Sequence, residues 1–294
     1  TRKGLEKTFN IRPFRMSFEN WRERTFVLLK KLNFNPLTNN LLWRIYKLYT
    51  RVHNFSKYGD PYVFRTVAIE ISTSCNRTCY YCPNSVEGTS VDFMEEETFN
   101  EIIAQLKAIN FSGVIHYNFY NEPLLDKRLP EFVRYVKKHL PTCINRIISN
   151  GDFLSIDLAD ELIDAGVSDF AITIHDRDGG KLLNKLQPVL KKYPGHISLD
   201  SIHDKPLSNR GGAIEVKLLN KKNTCTDPLE MLQLDYKGNV LLCCNDYYRK
   251  HSFGNLAHDK LYEIWQGKEF QKLRRDLRTG VANLEICRIC MGKD

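Results

Sequence analysis

From about residue 67 to residue 202, short β-branched apolar runs alternate with longer segments whose apolar positions recur every three or four residues. The short runs VAIEIS (67–72), GVIHYNFY (113–120), NRIIS (145–149), DFAITI (169–174) and HISLDSI (196–202) predict strands. The segments between them, EEETFNEIIAQLKAI, LPEFVRYVKKHL, SIDLADELIDAG and KLLNKLQPVLKKY, predict helices. Strand and helix in alternation, joined by right-handed crossovers, give a parallel sheet covered by helices. No strand here reads as half of a polar-outward hairpin. Such a sheet is either open or barrel-like, with a barrel or partial barrel favoured, and the fold class expected is α/β, a partial (β/α)6 TIM-type barrel.

After about residue 210 the pattern changes. MLQLDYKGNVLLCC (231–244) places two apolar runs around a Lys-Gly turn, a hairpin signal. LYEIWQGKEFQKLRRDLRTG (261–280) is helical, and a Cys-x2-Cys follows it. A small β-hairpin plus helix unit, organised around cysteines instead of a core of its own, is expected. Near the other end, Leu41, Ile45, Leu48, Tyr49 and Val52 share one helical face. Burying each is worth about 1.5–3 kcal/mol, so this face is expected to dock on the barrel. The expected organisation is a basic helical extension over 1–60, the partial barrel over 61–210 and the cysteine-rich unit over 211–294.

Composition narrows the function classes. The 294 residues are 42% hydrophobic and 27% charged, ordinary for a folded globular protein. The net charge of +8 is concentrated at one end, since residues 1–60 hold 13 Lys/Arg against 4 Asp/Glu. The rest is nearly neutral, so a nucleic-acid partner is not expected, and any electrostatic partner belongs to the first segment. No apolar run of about 18 residues is present, so no transmembrane segment is expected. The nine cysteines are an odd number in short clusters, unlike a secreted disulfide scaffold, and this points to a reduced, cytoplasmic setting.

Seven of the nine fall into two groups. Cys75, Cys79 and Cys82 lie in the loop after the first predicted strand, where parallel barrels place reactive groups. Their Cys-x3-Cys-x2-Cys spacing does not pair as a structural zinc site does, and a disulfide would leave one thiol over. Cys225, Cys243, Cys287 and Cys290 form the second group, for which spacing alone leaves zinc or an iron–sulfur cluster open. Cys143 reads as structural. Cys244 reads either as a small buried hydrophobe or as a hydrogen-atom donor.

Cys75-x3-Cys79-x2-Cys82, with the aromatic Tyr81 before the last cysteine, resembles the signature of the radical S-adenosylmethionine (SAM) superfamily. Asn121, Glu122 and Pro123, at the end of the second predicted strand, are similar to the family's GGEP-type segment, with Tyr120-Asn121 in place of two glycines. Ser149-Asn150-Gly151, at the end of the third, resembles its S/T-N-G turn near the ribose. Cys225-x17-Cys243-x43-Cys287-x2-Cys290 resembles the twitch form of SPASM-type extensions.

The resemblance implies two [4Fe–4S] clusters and SAM. Three cysteines would hold the first cluster, with SAM on its fourth iron, and four would ligate an auxiliary one. It also implies reductive SAM cleavage and hydrogen abstraction, with an electron donor such as flavodoxin or ferredoxin. The first expectation for the substrate is a ribosomally made precursor peptide, oxidatively modified, with a separate leader-binding partner protein supplying recognition. The second is dehydrogenation or epimerisation of an aminoglycoside-type sugar or cyclitol. A peptide epimerase using Cys244 as donor and a non-catalytic metal-binding scaffold stand as further alternatives.

Overall fold

The computed structural model describes part of residues 41–56, then residues 63–88, 90–204, 206–216 and 221–293. Five of its strands follow the predicted runs: β1 (Thr66–Ile69), β2 (Val114–His116), β3 (Ile144–Ser149), β4 (Val167–Ile174) and β5 (Ile197–Ser201). Between them lie α1 (Glu96–Ala108), α2 (Leu129–His139), α3 (Ile156–Ala165) and α4 (Gly180–Lys192). All four neighbouring pairs in this series are parallel. Caps explain individual boundaries. The Ser155 hydroxyl accepts from Leu158 N at the start of α3, and Gly166, in the left-handed region, ends it.

The predicted hairpin forms as β6 (Met231–Leu234) and β7 (Asn239–Leu241), antiparallel, with Gly238 at φ 84° in the turn. Yet β6 also pairs in parallel with β1, through Thr66 opposite Met231 to Ile69 opposite Leu234. The sixth parallel strand thus adds beside β1 and not after β5. With β8 (Ser252–Asn255) the result is one open eight-stranded sheet, ordered β5-β4-β3-β2-β1-β6-β7-β8. The chain then runs through α5 (Leu261–Gln266), α6 (Lys268–Thr279) and α7 (Glu285–Met291).

Strand alternation divides the sheet into two faces. Val67, Ile69, Ile115, Tyr117, Ile147, Phe170, Ile172, Leu232 and Leu234 are buried in the hydrophobic core. The same core includes Leu261, Trp265, Phe270 and Leu277, so the C-terminal helices share it and the cysteine unit is not independent of it. The other face carries His116, Asn118, Arg146 and Asp169, with Arg146 Nη2 donating to Asp169 Oδ2 at 3.0 Å. This polar face leads up to the loops at the strand ends.

The N-terminal expectation is corrected on one point. The described residues between 41 and 56 are helical, but Leu41, Ile45, Leu48, Tyr49 and Val52 are exposed. On the opposite side of that helix Asn54 is buried, and its amide donates to the Val63 carbonyl at 3.3 Å. Residues 1–40 lie outside the described residues.

Candidate active site

The three cysteines of the first group line one cleft above the C-terminal ends of β1–β4, together with Arg77, Tyr81, Asn118, Tyr120, Glu122, Ser149, Asn150, Thr173, His175 and Arg210. They come from the C-terminal ends of β1–β4 and the loops that follow them, with Arg210 from a later turn. Cys82 N donates to Cys79 O at 2.8 Å, which folds the cysteine segment into a turn. Arg77, between the first two cysteines, fastens this turn to its neighbours. Its Nε and Nη2 donate to the two Asp152 carboxylate oxygens at 2.6 and 2.7 Å, and its Nη1 and Nη2 reach Asp176 at 3.0 and 3.1 Å. A planar guanidinium suits this double fork, and it holds the Asp152 carboxyl below its ordinary value.

Glu122 is the hub on the second loop. Its Oε1 accepts from the Ser149 hydroxyl at 2.7 Å and from Leu124 N at 3.1 Å, and its Oε2 accepts from Asn150 N at 2.8 Å. The carboxyl is nonetheless raised above its usual value, because burial outweighs these three donors. Three of about four lone-pair sites are filled, so one acceptor site is left on Oε2. Ser149 and Asn150 therefore join Glu122 in one bonded unit. Asn121 stabilises its own loop, its Oδ1 accepting from Phe119 N at 2.9 Å and its Nδ2 donating to Tyr117 O at 3.2 Å. Asn121 also lines the cleft. Pro123, buried, opens the single turn Pro123–Leu125 that follows Glu122, and it does not line the cleft.

Tyr81 stacks on His175 with ring centroids 6.0 Å apart, and its hydroxyl contacts His175 Nδ1. Burial lowers the imidazole to about 4, so this wall of the cleft is neutral at pH 7. Arg210 enters from the other side, its guanidinium carbon 5.8 Å from the centroid of the Tyr120 ring. It sits in a turn at φ 51°, followed by Gly211 at φ 64°, where a Cβ would lie 2.4 Å from Ile286 Cγ1. Only glycine fits there, and its absence of a side chain lets α7 pack against the turn that aims Arg210. Among the described residues, Arg210 Nε and Asn118 Oδ1 are buried without hydrogen-bond partners.

The second cysteine group also converges. Cys225, Cys243, Cys287 and Cys290 line one cavity with Asp227, Asn245 and Ile286. Among the described residues no group of three or more His, Cys, Asp or Glu side chains is placed to hold a single metal ion. Burial pushes Cys225 up to about 12 and Cys287 up to about 11, and raises Cys243 strongly. The Cys75 and Cys82 thiols are raised for the same reason. Such thiols become ligands only beside positive charge, which an iron–sulfur core supplies, so both donor sets fit a cluster.

Cys244 stands outside both cavities. β7 ends at Leu241, so Cys243 and Cys244 lie in the turn beyond it and strand alternation does not govern them. The Cys244 side chain lines neither cavity, its thiol is raised to about 11 by burial, and its carbonyl accepts from the Tyr120 hydroxyl at 2.9 Å. The sequence reading missed Arg77, His175 and Arg210. His175 had a signal, since it follows the fourth predicted strand directly, and Arg210 had a weaker one in the SNRGG turn.

Comparison with known proteins agrees with this geometry. A family model described as the radical SAM superfamily matches residues 69–193, and one described as the SPASM iron-sulfur cluster-binding domain matches residues 225–291. The S-adenosyl-L-methionine-dependent 2-deoxy-scyllo-inosamine dehydrogenase of Niallia circulans is 31% identical over 236 residues, 78% of this chain and 93% of that protein. The crystal structure of BtrN in complex with AdoMet and 2-DOIA is 29% identical with a TM-score of 0.72, covering 77% of this chain and 92% of that one. BtrN in an open conformation is 27% identical with a TM-score of 0.61, covering 78% and 92%. Both cysteine groups fall within the matched regions, and the chain belongs to the radical SAM superfamily, with a C-terminal SPASM-type domain and, as cofactors, SAM and two [4Fe–4S] clusters, one SAM-binding and one auxiliary.

Proposed function

We propose that this radical SAM enzyme is a dehydrogenase of a small cyclic aminopolyol, oxidising one of its carbinol carbons to a ketone. The observation that carries the reading is the likeness to a 2-deoxy-scyllo-inosamine dehydrogenase along nearly that protein's whole length. The precursor peptide expected first from the sequence is set aside in its favour.

In this reading Cys75, Cys79 and Cys82 hold the SAM-binding cluster, and Cys225, Cys243, Cys287 and Cys290 the auxiliary one. When bound, SAM on the reduced SAM-binding cluster would supply a 5′-deoxyadenosyl radical to take a hydrogen atom, and the auxiliary cluster in its oxidised form would supply an acceptor for the electron that follows. The carbinol loses one hydrogen atom, one electron and its hydroxyl proton, which balances to a ketone. The chain's own work is positioning. The Glu122 unit fixes the Ser149-Asn150 backbone at the cleft, and its remaining Oε2 site would accept from the SAM ammonium. Arg77 holds the cysteine turn against the β3 and β4 loops. Arg210 Nε offers a donor and Asn118 Oδ1 an acceptor, and a hydroxyl, which both gives and takes a hydrogen bond, answers both. No helix among the described residues is long and apolar enough to cross a membrane. A radical SAM enzyme needs an electron donor, and a flavodoxin or ferredoxin in the cytoplasm fits the reading.

The test is anaerobic turnover of the reconstituted enzyme with SAM and dithionite against 2-deoxy-scyllo-inosamine, related polyols and candidate peptides. Equal yields of 5′-deoxyadenosine and ketone from a polyol are expected. Background deoxyadenosine with every polyol, beside a peptide that loses two hydrogens, would overturn the reading.

A further inference from the structure

Asn245 stands beside the auxiliary cysteines without being one of their number. It lines their cavity, and its side-chain Nδ2 lies 3.3 Å from Cys290 Sγ. Its backbone N lies 3.5 Å from Cys243 Sγ, so one residue aims two N–H groups at two of the four sulfurs. The amide is held at its other end, where the Ser208 hydroxyl donates to Oδ1 at 3.5 Å.

The turn carrying Asn245 is fixed as well. The next residue, Asp246, is 1% exposed; its N–H donates to Cys243 O at 3.2 Å, and its carboxylate accepts from Lys250 N at 3.1 Å and His251 N at 2.9 Å. Arg249, at φ 55°, pairs from this turn with the buried Glu70 at 2.9 Å. These bonds fix the backbone of the turn, and the Ser208 hydroxyl holds the Asn245 side chain.

We propose that Asn245 is a positioning residue that sets the reduction potential of the auxiliary cluster, through its side-chain N–H···S bond to Cys290. When a cluster gains an electron, negative charge builds on its sulfurs. An N–H dipole pointing at a ligand sulfur stabilises that reduced form more than the oxidised one, which raises the potential. Asn245 thereby makes the auxiliary cluster a better electron acceptor. The inference needs only the auxiliary cluster and is independent of which substrate the enzyme oxidises.

The backbone bond to Cys243 does not depend on the Asn245 side chain, so replacement by Leu or Ala isolates the bond to Cys290. The experiment is a redox titration of the holoenzyme followed by electron paramagnetic resonance, with the SAM-binding cluster identified by its response to added SAM. Asn245→Leu keeps the size without a donor, and Asn245→Ala removes the donor without adding bulk. Both are expected to keep about eight irons and to move the auxiliary midpoint to lower potential, leaving the SAM-responsive cluster unmoved. An unmoved auxiliary midpoint in a variant that keeps its irons would overturn the proposal. Loss of the auxiliary irons from both variants would also overturn it, since Asn245 would then hold the shape of the site and not its potential.

Discussion

Replacing Glu122 by Gln keeps the shape of the hub and removes one oxygen acceptor. The less costly amide orientation leaves the carbonyl at Oε1, where the Ser149 hydroxyl and Leu124 N donate, and puts the amino group where Asn150 N now donates to Oε2 at 2.8 Å. Two donors then face each other in a site only 3% exposed, and the backbone at Asn150 must shift. A lost hydrogen bond to a charged acceptor, with its buried partner left unpaired, costs about 1.5–3 kcal/mol. If Asn150 shapes the SAM site, and the last Oε2 acceptor meets the SAM ammonium, the dissociation constant should rise about 10- to 150-fold. The assay is equilibrium binding of SAM to anaerobically reconstituted Glu122→Gln, with iron content measured on the same sample. Both clusters should persist, because the cysteines are untouched. Unchanged SAM affinity at full iron content would refute the reasoning.

Three further outcomes are expected. Replacing Cys75, Cys79 and Cys82 together by Ala should reduce iron from about eight to about four per chain and abolish SAM cleavage; a wild-type preparation fixed at four irons with stoichiometric zinc would contradict the two-cluster account. Cys244→Ala should retain both clusters and turnover, because its thiol lines neither cavity; solvent deuterium in the wild-type product that disappears in this variant, while deoxyadenosine still forms, would instead make Cys244 a hydrogen donor. Glu70 is fully buried, and burial, outweighing the Arg249 guanidinium, raises its carboxyl from 4.5 to about 7. Its contribution to stability is complete below about pH 4.5 and is lost as pH rises through about 7, so the urea midpoint should fall over that window in the wild type, and Glu70→Gln should remove that slope.

The elements legible in the sequence were those whose signal is local. Runs such as DFAITI and helices such as LPEFVRYVKKH announce themselves through periodicity, and β4 and α2 follow them closely. The pairing of β6 with β1 joins residues separated by more than 160 positions, and no local pattern encodes it. β8, SFGN, has one aromatic and no β-branched residue, so strand propensity misses it and only the edge of β7 recruits it. The helical stretch after residue 260 breaks at Gly267, which serves both as the end of α5 and as the cap of α6. In the site, cysteine spacing located the two cysteine groups, each of which lines one cavity. The Glu122–Ser149–Asn150 bonds, the Arg77 clamp and the placement of Arg210 depend on loops brought together by the sheet, and these became visible only in three dimensions.

The central claim is that this chain uses radical SAM chemistry to oxidise a small cyclic aminopolyol. It is tested most directly with 2-deoxy-scyllo-inosamine carrying deuterium on its ring carbons, incubated anaerobically with the reconstituted enzyme, SAM and dithionite, and analysed by mass spectrometry. The account predicts one deuterium transferred into 5′-deoxyadenosine for each ketone formed. Deoxyadenosine that stays unlabelled, at the rate seen without substrate and with no ketone, would contradict it.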